Sequence, residues 1–102
     1  MKVAGFAGFS GAGKTTLVEQ LIACLRGRGL RVSVIKHAHH RFDIDHPGKD
    51  SWRHRQAGAN EVLLASDMRL ALLREYDPPH EPDVHALLTR LDARADWVLI
   101  EG

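Results

Sequence analysis

Hydrophobic and polar positions along this chain follow a pattern that predicts strands and helices in alternation. Residues 2–7 form an apolar run typical of a buried strand, and residues 16–25 carry apolar side chains at helical spacing. Apolar runs at 31–36 and 96–101 predict two more strands. Strands that alternate with helices favour a mostly parallel sheet with right-handed crossovers. We therefore expect an α/β fold of three layers (α/β/α), with helices on both faces of the sheet.

The stretch between the second and the last of these strands is patterned differently. A long polar loop is expected from His37 to about Lys49, followed by a short helix that runs to Ala59. Asp50 or Ser51 would cap this helix, because such side chains accept hydrogen bonds from the first backbone amides. Further along, the pattern predicts two adjacent strands of one sheet at 61–66 and 68–74, irregular structure around the prolines at 78, 79 and 82, and apolar residues at helical spacing over 83–91.

Composition bounds the size of the protein and its surroundings. The 102 residues suit a single domain over 1–102 with a core of modest size. A net charge of +1 predicts no strong attraction to nucleic acid or to an anionic membrane. The N-terminus does not resemble a signal peptide and no apolar run approaches the roughly 18 residues of a membrane span, so we expect a cytoplasmic protein. Cys24 is the only cysteine, which excludes an intrachain disulfide, and we expect it to be buried in the apolar stripe of the first helix.

The segment between the first strand and the first helix carries a chemical motif. It reads Gly-Phe-Ser-Gly-Ala-Gly-Lys-Thr over residues 8–15, a complete match to the phosphate-binding loop G-x-x-x-x-G-K-[ST]. Its glycines let backbone N–H groups point at phosphate oxygens, and the helix N-terminus that follows adds about half a positive charge. Lys14 would reach the β- and γ-phosphates, and the Thr15 hydroxyl would coordinate Mg²⁺. The predicted nucleotide contacts are Gly8, Ser10, Gly11, Ala12, Gly13, Lys14, Thr15 and Thr16.

The last strand offers two acidic residues, and the fold separates their roles. Asp96 begins this strand and Glu101 ends it, so the two lie about 16 Å apart at ~3.3 Å per residue. Ligands of open α/β sheets bind beyond the carboxyl ends of the strands. Glu101 is therefore the predicted acidic partner of Mg²⁺ or of its coordinated water, beside Thr15. Asp96 is expected to be structural.

The polar loop after the second strand holds many side chains that could bind a ligand. It should leave the sheet at the same edge as the phosphate-binding loop, where basic side chains could meet phosphate oxygens and Asp43 or Asp45 could bind Mg²⁺ through water. Its histidines and carboxylates could also bind Zn²⁺ or Ni²⁺, but their spacing matches no standard site. Each residue could equally be part of a solvated face. The candidates are Lys36, His37, His39, His40, Asp43, Asp45, Lys49, Asp50 and Arg53, with Arg55, His46 and His54 nearby.

Taken together, these segments closely resemble the MobB family, the molybdopterin-guanine dinucleotide biosynthesis adapter proteins. The matching motifs are the G-x-S-G-x-G-K-T-T-L loop from Gly8, the K-H-x-H-H stretch that leads into D-x-D-x-P-G-K-D-S, the A-G-A triplet, and an apolar strand that ends in E-G. The histidine-aspartate stretch is far more specific than the phosphate-binding loop alone. Family members usually continue well beyond the E-G pair, so we expect this chain to be truncated at its C-terminal side. Guanine recognition and part of the dimer surface would lie in that missing portion.

The resemblance implies a P-loop NTPase-like fold and a GTP-binding accessory protein that uses Mg²⁺. Such a protein assists a separate molybdopterin guanylyltransferase, which joins GMP to molybdopterin, and it forms a homodimer. No residue is a convincing nucleophile or general base, so at most slow GTP hydrolysis is expected. Two alternatives stay open at this point. One is a small-molecule kinase with Asp43 or Asp45 as proton acceptor, and the other is a GTP-dependent metal chaperone built on the histidine loop.

Overall fold

The computed structural model describes residues 1–8, 13–38, 42 and 44–102 of the chain. The strands are β1 (Lys2–Phe6), β2 (Val32–Lys36), β3 (Glu61–Ala65), β4 (Leu70–Arg74) and β5 (Trp97–Glu101), and the helices are α1 (Lys14–Gly27), α2 (Asp50–Gln56) and α3 (Val84–Leu88). The chain folds as two compact units, one formed by residues 1–40 and 82–102 and the other by residues 41–81. The assignment of one domain to residues 1–102 stays a prediction. Among the described helices, none combines the length and the apolar composition that crossing a bilayer demands.

The first unit is built on a parallel sheet with β5 at its centre. The strand order is β1-β5-β2, and both outer strands run parallel to β5. The register pairs Phe6 and Lys36 with Glu101, and it pairs Ala4 and Val34 with Leu99. Because all three strands point the same way, their carboxyl ends lie together at one edge of the sheet. Phe6, Glu101 and Lys36 therefore form the last row of side chains before the loops begin.

Helices cover both faces of this sheet, as predicted. Successive residues of a strand point to opposite faces, so Val98 and Ile100 share one face while Leu99 and Glu101 share the other. On the first face, Val98 and Ile35 pack with Leu87, Leu88 and Leu91 in and just after α3. On the other face α1 contacts both β5 and β2. Val98 and Leu99 are 0% and 2% exposed, which makes β5 the most deeply buried strand of the unit.

The first helix ends in a way that its sequence explains. The N–H of Gly29 donates to the carbonyl of Arg26 and that of Leu30 donates to the carbonyl of Leu25, which together form a Schellman motif. Gly29 has a φ of +79°, a conformation that glycine adopts without strain. The prediction that glycine stops this helix is confirmed. The prediction that Cys24 is buried is wrong, since its side chain is exposed. At about 100° per residue, Cys24 lies far around the helix from the buried Val18.

The second unit contains a separate, antiparallel sheet. Strands β3 and β4 pair with each other, with Val62 opposite Leu73 and Glu61 opposite Arg74. Arg74 Nε donates to Glu61 Oε1 at 2.6 Å, so the outermost pair of the register is also an ion pair. The prediction that these strands are neighbours is confirmed, but they do not extend the parallel sheet. A short connection such as the one between them allows only antiparallel pairing, because a parallel pair needs a crossover.

The helix of this unit begins one residue earlier than the capping pattern suggested. Lys49 occupies the N-cap position, and no side chain caps the helix there. Neither Asp50 nor Ser51 is therefore the cap. Ser51 is instead buried, at 7% exposure, and its hydroxyl helps to hold the carboxylate of Asp45. A hydroxyl already engaged with a nearby carboxylate cannot also serve the helix terminus.

Replacing Val98 by alanine should lower the free energy of unfolding by about 2 kcal/mol, because two methyl groups are lost from a packed interior and leave a cavity. Val3, its register partner on the same face of the sheet, is 47% exposed and serves as the control. Val3→Ala should cost less than half as much. Urea unfolding of both variants measures the difference, and equal losses would contradict the placement of the core at β5.

Candidate functional site

The start of α1 is shaped for an anionic ligand. Gly13 occupies the N-cap with φ +81°, which a residue with a side chain would adopt only under strain. Its carbonyl accepts the N–H of Leu17 at 3.1 Å, while the first amides of the helix have no partner within it. Over the 14 residues of α1 the peptide dipoles place positive charge at this terminus. The predicted contacts Ser10, Gly11 and Ala12 lie outside the described residues.

Lys14 reaches across the site and is held by backbone oxygens. Its Nζ donates to the carbonyl of Gly8 at 2.8 Å and also to the carbonyl of Gly102. Gly102 is positioned in turn by its own N–H, which donates to the carbonyl of Phe6 at 3.0 Å. The two carbonyls occupy positions from which anionic phosphate oxygens would accept the same hydrogen bonds more strongly. Lys14 thus lies within the first unit at the carboxyl ends of β1 and β5.

Glu101 is a buried acid at this edge, and Thr15 is its closest partner. The carboxylate is only 6% exposed, and Thr15 Oγ1 donates to its Oε1 at 2.6 Å. Lys36 Nζ lies 3.5 Å from the same oxygen. The Thr15 hydrogen bond, more than the charges of Lys36 and Lys14, holds the pKa of Glu101 below its usual range. The carboxylate therefore stays ionised even though it is removed from water.

The two acids of the last strand have the separate positions that the sequence indicated. Asp96 lies at the opposite end of β5, where its Oδ2 accepts the backbone N–H of Arg31 at 2.7 Å. The Asp96 N–H donates to the carbonyl of Arg31 at 2.8 Å, so the pair fastens the start of β5 to the start of β2. The expectation that Asp96 is structural is confirmed. Only Glu101 reaches the edge where Lys14 and Thr15 lie.

The predicted loop residues divide between the two units. His37 follows β2 directly, and its backbone N–H donates to the carbonyl of Glu101 at 2.8 Å, so the loop does leave the sheet at the predicted edge. His39, His40 and Asp43 lie outside the described residues. The remaining candidates belong to the second unit, around the start of α2, and are Asp45, Lys49, Asp50 and Arg53. Their role toward a ligand stays a prediction.

Two residues that were predicted to face a ligand instead bind each other within the second unit. Arg55 donates to both carboxylate oxygens of Asp45, at 2.9 Å from Nε and 2.6 Å from Nη2, and its Nη1 donates to Glu75 at 2.9 Å. The side chains of Arg55 and Asp45 are 12% and 7% exposed. The Arg55 hydrogen bonds lower the pKa of Asp45. Sequence reasoning missed this cluster, since its members are ten and twenty positions apart with no motif to connect them.

The donor atoms at the sheet edge suit magnesium better than zinc or nickel. Thr15 and Glu101 offer a hydroxyl and a carboxylate oxygen within 2.6 Å of each other, and Mg²⁺ prefers such hard oxygen ligands together with phosphate and water. Within the described ranges, no three histidine, cysteine, aspartate or glutamate side chains form a group that could hold a metal ion. Two ammonium groups and a helix N-terminus surround one carboxylate, so the edge has a surplus of positive charge for a phosphate ligand.

Replacing Thr15 by valine should raise the pKa of Glu101, because the hydrogen bond that most favours the ionised form is lost. A folded pKa below the unfolded value of about 4.3 contributes stability above that pH, and this contribution disappears as the pH falls through the folded pKa. The variant should therefore lose less stability on acidification than the unmodified protein. NMR titration of the Glu101 carboxyl carbon measures the shift. Thr16→Val, one residue along α1, should leave the pKa unchanged, and an equal shift in both variants would contradict this account.

Comparison with known proteins agrees with this geometry. The family model described as "Molybdopterin guanine dinucleotide synthesis protein B" matches residues 3–102. The molybdopterin-guanine dinucleotide biosynthesis adapter protein of Escherichia coli is 47% identical over 98 residues, and that of Haemophilus influenzae is 48% identical over 99 residues. The alignments cover 95% and 96% of this chain but 56% and 54% of the relatives. The chain thus spans about half the length of the curated relatives it matches.

Solved structures support the same relationship. Bacillus subtilis MobB superposes with a TM-score of 0.77 at 25% identity, over 100% of this chain and 61% of its own. A crystal structure of molybdopterin-guanine biosynthesis protein B superposes with a TM-score of 0.67 at 32% identity, over 99% of this chain and 59% of its own. Sequence, fold and the match across residues 3–102 agree, and the chain belongs to the MobB family, with the P-loop NTPase-like α/β fold.

Proposed function

We propose that this protein binds GTP with Mg²⁺ and acts as an adapter in the attachment of GMP to molybdopterin. The observation that carries the proposal is the cluster at the sheet edge, where Lys14, Thr15 and Glu101 lie together beside the N-terminus of α1. These are the groups that a triphosphate and its metal ion require. Family membership supports the choice of guanine nucleotide and of pathway, since the relatives carry the name of that biosynthesis.

Each residue of the cluster has a distinct part in holding the ligand. Lys14 would exchange the carbonyls of Gly8 and Gly102 for oxygens of the β- and γ-phosphates. The amides at the start of α1 would complement the remaining phosphate charge. Thr15 and Glu101 would hold Mg²⁺, the carboxylate directly or through water. A metal bound there supplies charge neutralisation across the phosphate groups.

The site favours holding nucleotide over rapid turnover. Lys14, Thr15 and the helix terminus position and neutralise charge, and none of these groups orients an attacking water molecule. Glu101 is fixed by Thr15 and has a lowered pKa, which makes it a weak proton acceptor. We therefore expect at most slow hydrolysis of GTP, and a protein whose output is the supply or presentation of nucleotide to a partner.

The partners follow from the proposed pathway. A molybdopterin guanylyltransferase would receive the protein, with molybdopterin as the second substrate of the joint reaction. We expect a homodimer in the cytoplasm. Neither nucleic acid nor a membrane is expected to bind, because the net charge of +1 provides no large basic surface.

The structure weakens the alternative of a small-molecule kinase. Of its two candidate proton acceptors, Asp43 lies outside the described residues, and Asp45 is engaged by two hydrogen bonds from Arg55. A carboxylate with a lowered pKa and a bound guanidinium is a poor base for an acceptor hydroxyl. A metal chaperone would need a histidine cluster, and the part of the chain that the structure describes forms none.

Replacing Lys14 by alanine should lower the affinity for GTP at least about 100-fold, equivalent to ~3 kcal/mol, because the charged hydrogen bonds to phosphate are lost. Calorimetric titration with GTP measures this loss, and parallel titration with ATP tests the choice of base. Lys2→Ala is the control, since Lys2 lies at the opposite end of the sheet beside Trp97. Unchanged GTP affinity in Lys14→Ala would refute the nucleotide site.

The adapter role makes a separate prediction. Added to a molybdopterin guanylyltransferase with molybdopterin and GTP, the protein should raise the rate of dinucleotide formation, while Lys14→Ala should raise it little or not at all. The reason is that an adapter without its nucleotide has nothing to present. Chromatographic quantification of molybdopterin guanine dinucleotide measures the rate. Equal stimulation by both forms would show that the adapter role does not depend on this site.

A further inference from the structure

Lys36 and Glu101 form a pair whose two members differ sharply in freedom to move. They are register partners at the ends of neighbouring parallel strands, and Lys36 Nζ lies 3.5 Å from Glu101 Oε1. The side chain of Lys36 is 56% exposed, whereas that of Glu101 is 8% exposed. The carboxylate is fixed by burial and by Thr15, while the ammonium sits on a flexible four-carbon stem at the surface. Only the lysine can leave.

The buried carboxylate needs a positive partner, and Lys36 is the mobile cation placed to provide it. An uncompensated charge in the interior is costly. The other nearby ammonium, that of Lys14, is engaged by the carbonyls of Gly8 and Gly102. The remaining contact of the carboxylate is the hydrogen bond from Thr15, which carries no charge.

Lys36 and a bound metal would also use the same atom. Both the Thr15 hydroxyl and the Lys36 ammonium approach Oε1 of Glu101. Thr15 must turn its hydroxyl proton away from this oxygen before its own oxygen can bind a metal. The carboxylate then needs the metal, or a water molecule of the metal, at the position where it now accepts from protein donors. Two cations this close together would repel each other.

We propose that Lys36 is a displaceable counterion: it neutralises Glu101 in the ligand-free protein and releases the carboxylate when nucleotide-bound Mg²⁺ arrives. This inference rests on the proposed nucleotide function and adds a residue to it. The exchange keeps the buried carboxylate neutralised throughout. It also makes Lys36 and Mg²⁺ thermodynamically coupled, so that each weakens the attraction of the other for Glu101.

The coupling can be measured through GTP affinity with and without metal. In Lys36→Met the unneutralised carboxylate repels the triphosphate when EDTA removes Mg²⁺, and Mg²⁺ removes that repulsion. The factor by which Mg²⁺ raises GTP affinity should therefore be about tenfold larger in Lys36→Met than in the unmodified protein. Lys36→Arg, which keeps the charge, should restore the original factor. Lys2→Met, which removes one charge from the far end of the same sheet, should not change it.

A simple phosphate contact gives a different result. If Lys36 only binds the triphosphate, Lys36→Met lowers GTP affinity by the same factor with and without Mg²⁺, and the counterion proposal is overturned. A second measurement uses no nucleotide. Mn²⁺ alone, followed by electron paramagnetic resonance, should bind Lys36→Met about tenfold more tightly than the unmodified protein. Equal Mn²⁺ binding would overturn the proposal. A failure of every form to bind GTP would refute the proposed function instead and leave the Mn²⁺ comparison to decide the role of Lys36.

Discussion

The burial of one carboxylate at the end of the central strand organises the functional edge of this protein. Glu101 is carried there by β5, which is paired on both sides and cannot shift without breaking two sets of backbone hydrogen bonds. A buried charge must have partners, so the elements around it supply them. Helix α1 provides the Thr15 hydroxyl, and β2 provides the Lys36 ammonium. The acid thereby connects three elements that are distant in sequence.

Local rules were enough to predict the framework of this site. Gly13, Lys14 and Thr15 belong to one contiguous motif, and the motif fixes a helix start because glycine and unpaired amides must occur there in sequence order. The choice of Glu101 over Asp96 followed from strand direction alone, since parallel strands bring their carboxyl ends to one edge. Periodicity of apolar residues then gave the α/β class. Each of these predictions depends on neighbours within about one turn or one strand.

What the sequence did not predict depends on register and on packing between distant residues. The contact of Lys36 with Glu101 exists because β2 and β5 pair with these residues directly opposite, a choice that no local pattern reveals. The Arg55 cluster likewise joins residues from three parts of the second unit. Cys24 was misplaced for the opposite reason, because an apolar neighbourhood in sequence was read as a buried face. Helical geometry turned it outward.

The contacts of the ligand-free site determine what a ligand must offer. Lys14 already donates to two carbonyls, and Glu101 already has a hydroxyl and an ammonium. Binding therefore exchanges contacts instead of adding them, and the net gain is the difference between protein and ligand partners. A neutral ligand would gain little, since carbonyls serve Lys14 equally well. An anionic phosphate group improves on the carbonyls, and a divalent cation improves on a single ammonium at Glu101. The arrangement thus favours a phosphate and a metal ion that arrive together.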